Sequence, residues 1–407
     1  MHKKNVILIT AVMIIVSFAA MPWEISAPAS AGFFNTAKNP HHIIVSQGET
    51  VETMTVSWKG NAEGPSYVIV EDETGNKRTI TANKKKTLKG TYFRYWANIC
   101  DLKAKHQYTV HIGDSIHFAL EVPADKNKTT FIYAGDIQGG YESWAQMCEE
   151  MPQADFLITG GDMVNSGSSG RQWNAFLENC GLFMSVPLMT TAGNHEGVSS
   201  NETYKAIFAM PQNGPDVEVL KESFYYFDRG VCRVIVLDSS FLTDERKAKL
   251  GEDWQFCEEA IESWLKRTLQ SSDAVWNIVV SHHPPYGLHD FDTTAVQIRE
   301  NWLPLMEKYG VDLVLSGHQH MYMRTNKIKG ITYVMGNAGD RQSEFYMGYN
   351  EPLYAEAVDS ASPNYQVVTA DKNKLEIVSK TKKGLIIDKA VIRKSLYFHI
   401  FEFFSGN

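Results

Sequence analysis

Five apolar runs in this chain each break off into acidic, amide or imidazole side chains. FIYAG is followed by Asp136 and FLITGG by Asp162. LMTTAG is followed by Asn194 and His195, NIVVS by His282 and His283, and VDLVLSG by His318 with His320 two residues on. One aspartate after one strand means little, and a lone histidine is more often a structural group than a ligand. Five such endings in one chain are harder to assign to structure. Carboxylates and imidazoles gathered without a counter-charge are costly to bury. Cations remove that cost, and a mixture of carboxylate, amide oxygen and imidazole suits manganese, iron or zinc. In extended chain His318 and His320 point to one side, so they can serve two neighbouring ions or one. Glycine precedes Asp136, Asp162, Asn194 and His318, where it lets the backbone turn sharply and approach closely. The chain holds no G-x-S-x-G and no Walker A sequence, so no serine-nucleophile or nucleotide-loop motif competes.

The elements that must hold these residues are readable too. From Thr130 onward, strand-like apolar runs alternate with helical stretches such as YESWAQMCEEM, RQWNAFLENC and, from Trp254 to Leu269, WQFCEEAIESWLKRTL. That alternation predicts an α/β layered domain. In open α/β folds ligands bind beyond the carboxyl ends of the strands, where the polar residues stand here. Trp144 and Trp173 fall at helix core positions. KLEIVSKTKKGLIIDKAVIRK predicts a closing hairpin that turns near Lys382-Lys383-Gly384. Upstream, residues 38–122 read as all-β. Val51–Trp58, Ser66–Glu71, Tyr92–Ile99, Tyr108–Gly113 and Ile116–Val122 are short strand candidates between turn signals, the pattern of a small β-sandwich. The polar stretch Asp125–Thr130 marks the boundary.

Taken in order, GD, GGD, GNHE, SHHP and GHQH resemble the calcineurin-like metallophosphoesterase superfamily. With a β-sandwich in front and a hairpin behind, the chain is most similar to the purple acid phosphatase branch. The resemblance runs from about residue 38 to residue 393. It implies a fibronectin-III-like sandwich (38–122) and a four-layer α/β/β/α metallophosphoesterase domain (128–393). By the same resemblance, Asp162 bridges two metal ions, Asp136 and His320 bind the first, and Asn194, His282 and His318 bind the second. His195 then stabilises the phosphoryl group or protonates the leaving oxygen. His283 lines the pocket or supports a ligand. Two ions per chain, drawn from iron, manganese or zinc, would lower the pKa of a water that attacks phosphorus in line. The implied substrates are phosphate monoesters; a phosphodiesterase or nucleotide pyrophosphatase would use the same site, and a non-catalytic surface-binding protein is the reading from another class.

Two positions depart from the pattern. The purple branch carries a metal-binding tyrosine three residues after the bridging aspartate, where this chain has Asn165. The wider superfamily often has a histidine two residues after the first aspartate, where this chain has Gln138. Either amide could occupy the vacant ligand place, or water could. Loss of the phenolate favours a divalent ion over ferric iron. Past the strand ITYVMGNAG, Asn337, Asp340 and Arg341 either border the pocket or form a structural loop, and Tyr286 and His289 lie on the loop after SHHPP.

Composition limits the partners. The 407 residues are 43% apolar and 12% aromatic, enough for a large core. A formal charge of −8 predicts no general affinity for nucleic acid. Residues 1–31 have the form of a secretory signal: Lys3 and Lys4, an apolar run from Val6 to Met21, then Ala29-Ser30-Ala31. That run is shorter than the ~20 residues of a spanning helix, so cleavage after Ala31 and a secreted or periplasmic protein free of the membrane are expected. Export permits disulfides among Cys100, Cys148, Cys180, Cys232 and Cys257. Cys148 and Cys180, at the ends of two predicted helices, are the first candidates. No motif bears on the aromatic tail, 394–407.

Overall fold

The computed structural model describes residues 39–86, 92–114, 116–122, 127–197, 202–288, 292–343 and 354–394. Residues 1–31, His289 and all but the first residue of the aromatic tail lie outside the described residues.

Strands His41–Gln47 (β1), Met54–Gly60 (β2), Tyr67–Asp72 (β3), Lys77–Thr81 (β4), Asn83–Lys86 (β5), Phe93–Ile99 (β6), Gln107–Ile112 (β7) and Ile116–Glu121 (β8) open the chain. They pair antiparallel as two four-stranded sheets, β1-β2-β6-β5 and β4-β3-β7-β8. Inward residues of both, among them Val56 and Tyr95 from one and Val68 and Val110 from the other, share one core. Trp58 stacks on Tyr95 with ring centroids 5.6 Å apart. The sequence pattern missed β1, β4 and β5. β5 reads Asn-Lys-Lys-Lys and is exposed throughout. It has no apolar period to detect, and lysines on an edge strand discourage pairing with other chains.

Thirteen further strands follow among the described residues: Lys128–Ala134 (β9), Phe156–Thr159 (β10), Leu188–Thr190 (β11), Phe224–Arg229 (β12), Cys232–Leu237 (β13), Trp276–Ser281 (β14), Leu313–Ser316 (β15), Tyr322–Thr325 (β16), Thr332–Met335 (β17), Ala355–Asp359 (β18), Asn364–Asp371 (β19), Lys374–Thr381 (β20) and Ile386–Arg393 (β21). They form a six-stranded sheet, β11-β10-β9-β19-β20-β21, and a seven-stranded sheet, β12-β13-β14-β15-β17-β16-β18. β9, β10 and β11 are parallel, as are β13, β14, β15 and β17. Parallel strands are buried on both faces and read as continuous apolar runs. β13 shows why: Val234 and Val236 enter the core between the sheets, while Ile235 and Leu237 face the opposite way. There they meet Ile261, Leu265 and Leu269 of helix Asp253–Gln270. Helices Tyr141–Glu150 and Gly170–Glu178 bring Trp144 and Trp173, both fully buried, against the six-stranded sheet's core. The layers are helix, sheet, sheet, helix, a mixed α/β domain behind an N-terminal β-rich region.

The sandwich is joined to these layers by buried polar contacts. Arg94 on β6 donates to the carbonyls of Lys205 (2.6 Å) and Phe208 and pairs with Glu222 at 3.1 Å. Gln47 on β1 donates to the Asp228 carbonyl at 2.7 Å. Cys148 and Cys180 lie side by side, their thiols hydrogen bonded and both buried. Burial, then the neighbouring thiol, push Cys148 far above the ordinary thiol range, and the disulfide expected between the two is not formed.

Candidate metal centre

The chain leaves β9, β10, β14 and β15 at their carboxyl ends through abrupt turns. Asp136, Asp162, His318 and His320 all adopt left-handed backbone there, with φ of 41°, 50°, 73° and 51°. Each such residue costs on the order of 1–3 kcal/mol and persists where the surroundings over-determine it. Two glycines permit the crowding. A Cβ on Gly193 would overlap the Asp162 carboxylate, and one on Gly317 would overlap that of Asp136. The turns are tied to one another: between the sheets, the backbone N–H of His318 donates to Asp136 Oδ2 at 2.6 Å, and within the six-stranded sheet that of His195 donates to Asp162 Oδ1 at 3.0 Å.

One half of the site gathers acceptors. His282 Nδ1 lies 2.8 Å from the Gly160 carbonyl, so Nδ1 carries the hydrogen and Nε2 is the atom turned into the site. That Nε2 is 3.0 Å from Asn194 Oδ1 and 3.2 Å from Asp162 Oδ2. His318 Nδ1 approaches the same Asn194 oxygen at 3.1 Å, while its Nε2 faces Asp292 at 3.9 Å. A neutral imidazole nitrogen, a carboxylate oxygen and an amide oxygen that converge so closely need a proton or a cation among them.

The other half gathers Asp136, Asp162 and His320, whose ligand atoms lie within 4.8 Å of one another. Asp136 is fully buried, and its Oδ1 has no hydrogen-bond partner. An orphaned carboxylate oxygen in such a place costs several kcal/mol unless a cation meets it. In the chain by itself, protons fill that role. Burial holds the Asp136 carboxyl well above the usual carboxylate range. Burial pulls His282 down, but the Asp162 and Asp136 carboxylates outweigh it and raise that ring to about 10. His320 moves to about 4, chiefly through burial and then Arg341, and stands ready as a neutral donor. Metal ions would displace the stored protons. The donor set therefore fits two cations.

The remaining sequence-selected residues divide. His195 is at the mouth, its side chain 33% exposed. Its Nδ1 contacts the Asn165 carbonyl at 2.8 Å, and its Nε2 lies 3.9 Å from Asp162 Oδ2. His283 is buried behind His318, ring centroids 4.2 Å apart. Ser239 Oγ accepts from its backbone N–H and contacts its Nδ1, both at 2.9 Å. Burial and the two adjacent histidines hold His283 well below the ordinary range, so it suits support of His318 better than proton donation. Asn337 is buried and bonds the carbonyls of Gly339 and Arg341, a structural post. Asp340 bonds Ser143 away from the ligands. Asn165 is exposed, whereas Gln138 is buried against Asp162 and His320. Tyr286 packs on Tyr333.

The family model for calcineurin-like phosphoesterases matches residues 129–322. Over that segment the chain is similar to the calcineurin-like phosphoesterases. An uncharacterised Mycobacterium tuberculosis protein is 28% identical over 215 residues, 49% of this chain and 38% of that protein. Purple acid phosphatase 15 of Arabidopsis thaliana is 30% identical over 190 residues, 42% of this chain and 32% of that protein. The matches thus span about a third of those relatives' length. The solved purple acid phosphatase PPD1 from yellow lupin seeds shares the fold, with TM-score 0.69 and 18% identity over 88% of this chain and 75% of that one.

The matched segment holds two supports that no sequence motif marks as such. Glu196 closes the GNHE motif. It is buried, and its carboxylate accepts from the backbone N–H groups of Asp162 (2.7 Å), Val164 (3.0 Å) and Gly193 (2.8 Å). It thereby clasps the Asp162 turn to the Asn194 turn. Asp292, facing His318, caps helix Thr293–Gln297 through Thr294 and Ala295, and no local signal marks it. Glu196→Ala would strand three buried N–H donors and loosen both turns. Metal affinity is expected to fall about 10- to 100-fold, the usual loss for an outer-shell partner. Chelator competition measures it; affinity equal to the native protein's would remove Glu196 from this role.

Proposed function

We propose that this chain is a secreted phosphoesterase that hydrolyses phosphate monoesters with two metal ions. What carries the reading is the convergence of His282 Nε2, Asn194 Oδ1, Asp162 Oδ2 and His318 Nδ1, four potential ligand atoms packed within about hydrogen-bonding distance of a neighbour, a cluster that the protein alone holds together only with a proton on His282. Asp162 would bridge, Asp136 and His320 would hold the first ion, and Asn194, His282 and His318 the second. When bound, the ions supply Lewis-acid chemistry: an activated water and neutralisation of the phosphoryl oxygens.

The chain's own residues do the rest. His195 keeps Nδ1 on the Asn165 carbonyl, so Nε2 is the atom that presents a proton towards the leaving oxygen. Asp162 Oδ2 lies 3.9 Å from that Nε2. His283 braces His318 from behind, and Ser239 braces His283. Arg341, exposed near His320, is placed to draw in an anionic ester. The N-terminal sandwich, which we read as fibronectin-III-like, stiffens the segment 205–228 through Arg94 and Gln47. The leader-like residues 1–31 support export.

The deciding experiment combines elemental analysis with turnover of p-nitrophenyl phosphate and bis-p-nitrophenyl phosphate on one sample. About two ions per chain and preference for the monoester are expected. Preference for the diester would replace the monoesterase reading with the phosphodiesterase one. No metal and no turnover after addition of manganese, iron or zinc would leave the non-catalytic, surface-binding reading.

A further inference from the structure

Gln138 occupies the place where the wider family has a histidine, and nothing in the family pattern assigns it a task. Its surroundings do. The side chain is 1% exposed, and its backbone N–H donates to the Asp162 carbonyl at 3.0 Å, which seats it over the Asp162 turn. One end of its amide lies 3.0 Å from His320 Nε2 and 3.3 Å from Asp162 Oδ2. The other end, Oε1, is buried without a hydrogen-bond partner. An amide has a donor end and an acceptor end of nearly the same shape. Facing two acceptors with no cation between them, only the N–H end is tolerable. With a cation there, the carbonyl end is favoured, and a half-turn about the last side-chain bond exchanges the two.

We propose that Gln138 is a ligand of the first metal ion through its carbonyl oxygen. Resting on the two-metal reading above, this gives each ion a bridging carboxylate, an amide oxygen and imidazole: Gln138 and His320 for the first, Asn194, His282 and His318 for the second. Across both ions the carboxylates are Asp136 and Asp162. Two negative charges set against two divalent cations in a buried site leave a moderate excess; a trivalent ion without a phenolate would worsen it. The centre therefore selects two divalent ions, and hard or borderline ones that accept neutral oxygen.

The test uses the full mature chain loaded with cobalt(II) or manganese(II), with metal stoichiometry, chelator-competition affinity and the cobalt d–d absorption as readouts. Gln138→Met keeps the volume and removes the oxygen. It is expected to weaken one of the two ions about 10- to 100-fold and to change the cobalt spectrum of that site only. Gln138→Glu separates a ligand from a mere hydrogen-bond donor. A carboxylate can coordinate but cannot donate, so tighter binding of the first ion supports ligation, and weaker binding overturns it. Circular dichroism confirms folding of each variant, and Gln138→Glu serves if the methionine variant fails to fold. If native protein and Gln138→Met bind two ions with superimposable spectra and affinities within about twofold, Gln138 is no ligand although the two-metal reading stands. If native protein binds no metal, both readings fall together.

Discussion

Replacing Asp162 with asparagine is expected to leave a folded protein that has lost more than about 100-fold in turnover, beyond the 10- to 100-fold typical of an outer-shell partner, and at least one ion per chain. The substitution is nearly isosteric, and the Oδ1 that accepts from the His195 backbone is kept as an amide oxygen. What disappears is the negative charge at the point shared by both halves. Asp162 Oδ2 is 3.2 Å from His282 Nε2 on one side and 3.3 Å from the Gln138 amide on the other. Its desolvation is offset first by His282 and then by His195, so the carboxylate stays ionised at the centre of the cluster. Removing it leaves Asp136 as the only carboxylate among the seven proposed ligands. Elemental analysis beside a kinetic assay reads the outcome. A variant with full metal content and native turnover would mean that the ions, or the chemistry, are elsewhere.

The second large effect concerns His195. His195→Ala is expected to keep both ions, because the side chain stands at the mouth and its backbone contact to Asp162 does not depend on the ring. Turnover is expected to drop by about 10²- to 10⁴-fold for an alkyl phosphate, the range for loss of a proton donor. The drop should be much smaller for p-nitrophenyl phosphate, whose leaving group needs no proton. Equal losses with both esters would assign His195 to stabilising the phosphoryl group. No loss with either would exclude it from the chemistry, while unchanged metal content keeps the result separate from damage to the centre.

How much of this was open to sequence reading depends on how local the information is. Each parallel strand announces itself because burial on both faces demands an uninterrupted apolar run, and β13 and β14 are such runs. The abrupt change to Asp, Asn or His at their ends is local as well, whereas the room that Gly317 makes for Asp136 and Gly193 for Asp162 depends on the fold. By contrast, β5 escaped because an exposed edge strand has no apolar face to repeat. The closing hairpin was visible as β20 and β21, but its place was not. β19 inserts it into the six-stranded sheet by pairing antiparallel with β9, Gln366 opposite Tyr133, a register between residues more than two hundred positions apart.

The same division runs through the site. The sequence by itself determined which residue types stand at the strand ends and in what order, since strand period and turn-forming glycines are properties of a few neighbouring residues. Only the tertiary structure decided that Glu196 clasps two turns, that Asp292 faces His318, that His283 stands behind His318, and that Gln138 rather than Asn165 lies among the ligands. Those roles depend on distances between loops that the two sheets bring together, and the folded packing of β9 to β11 against β13 to β15 sets those distances.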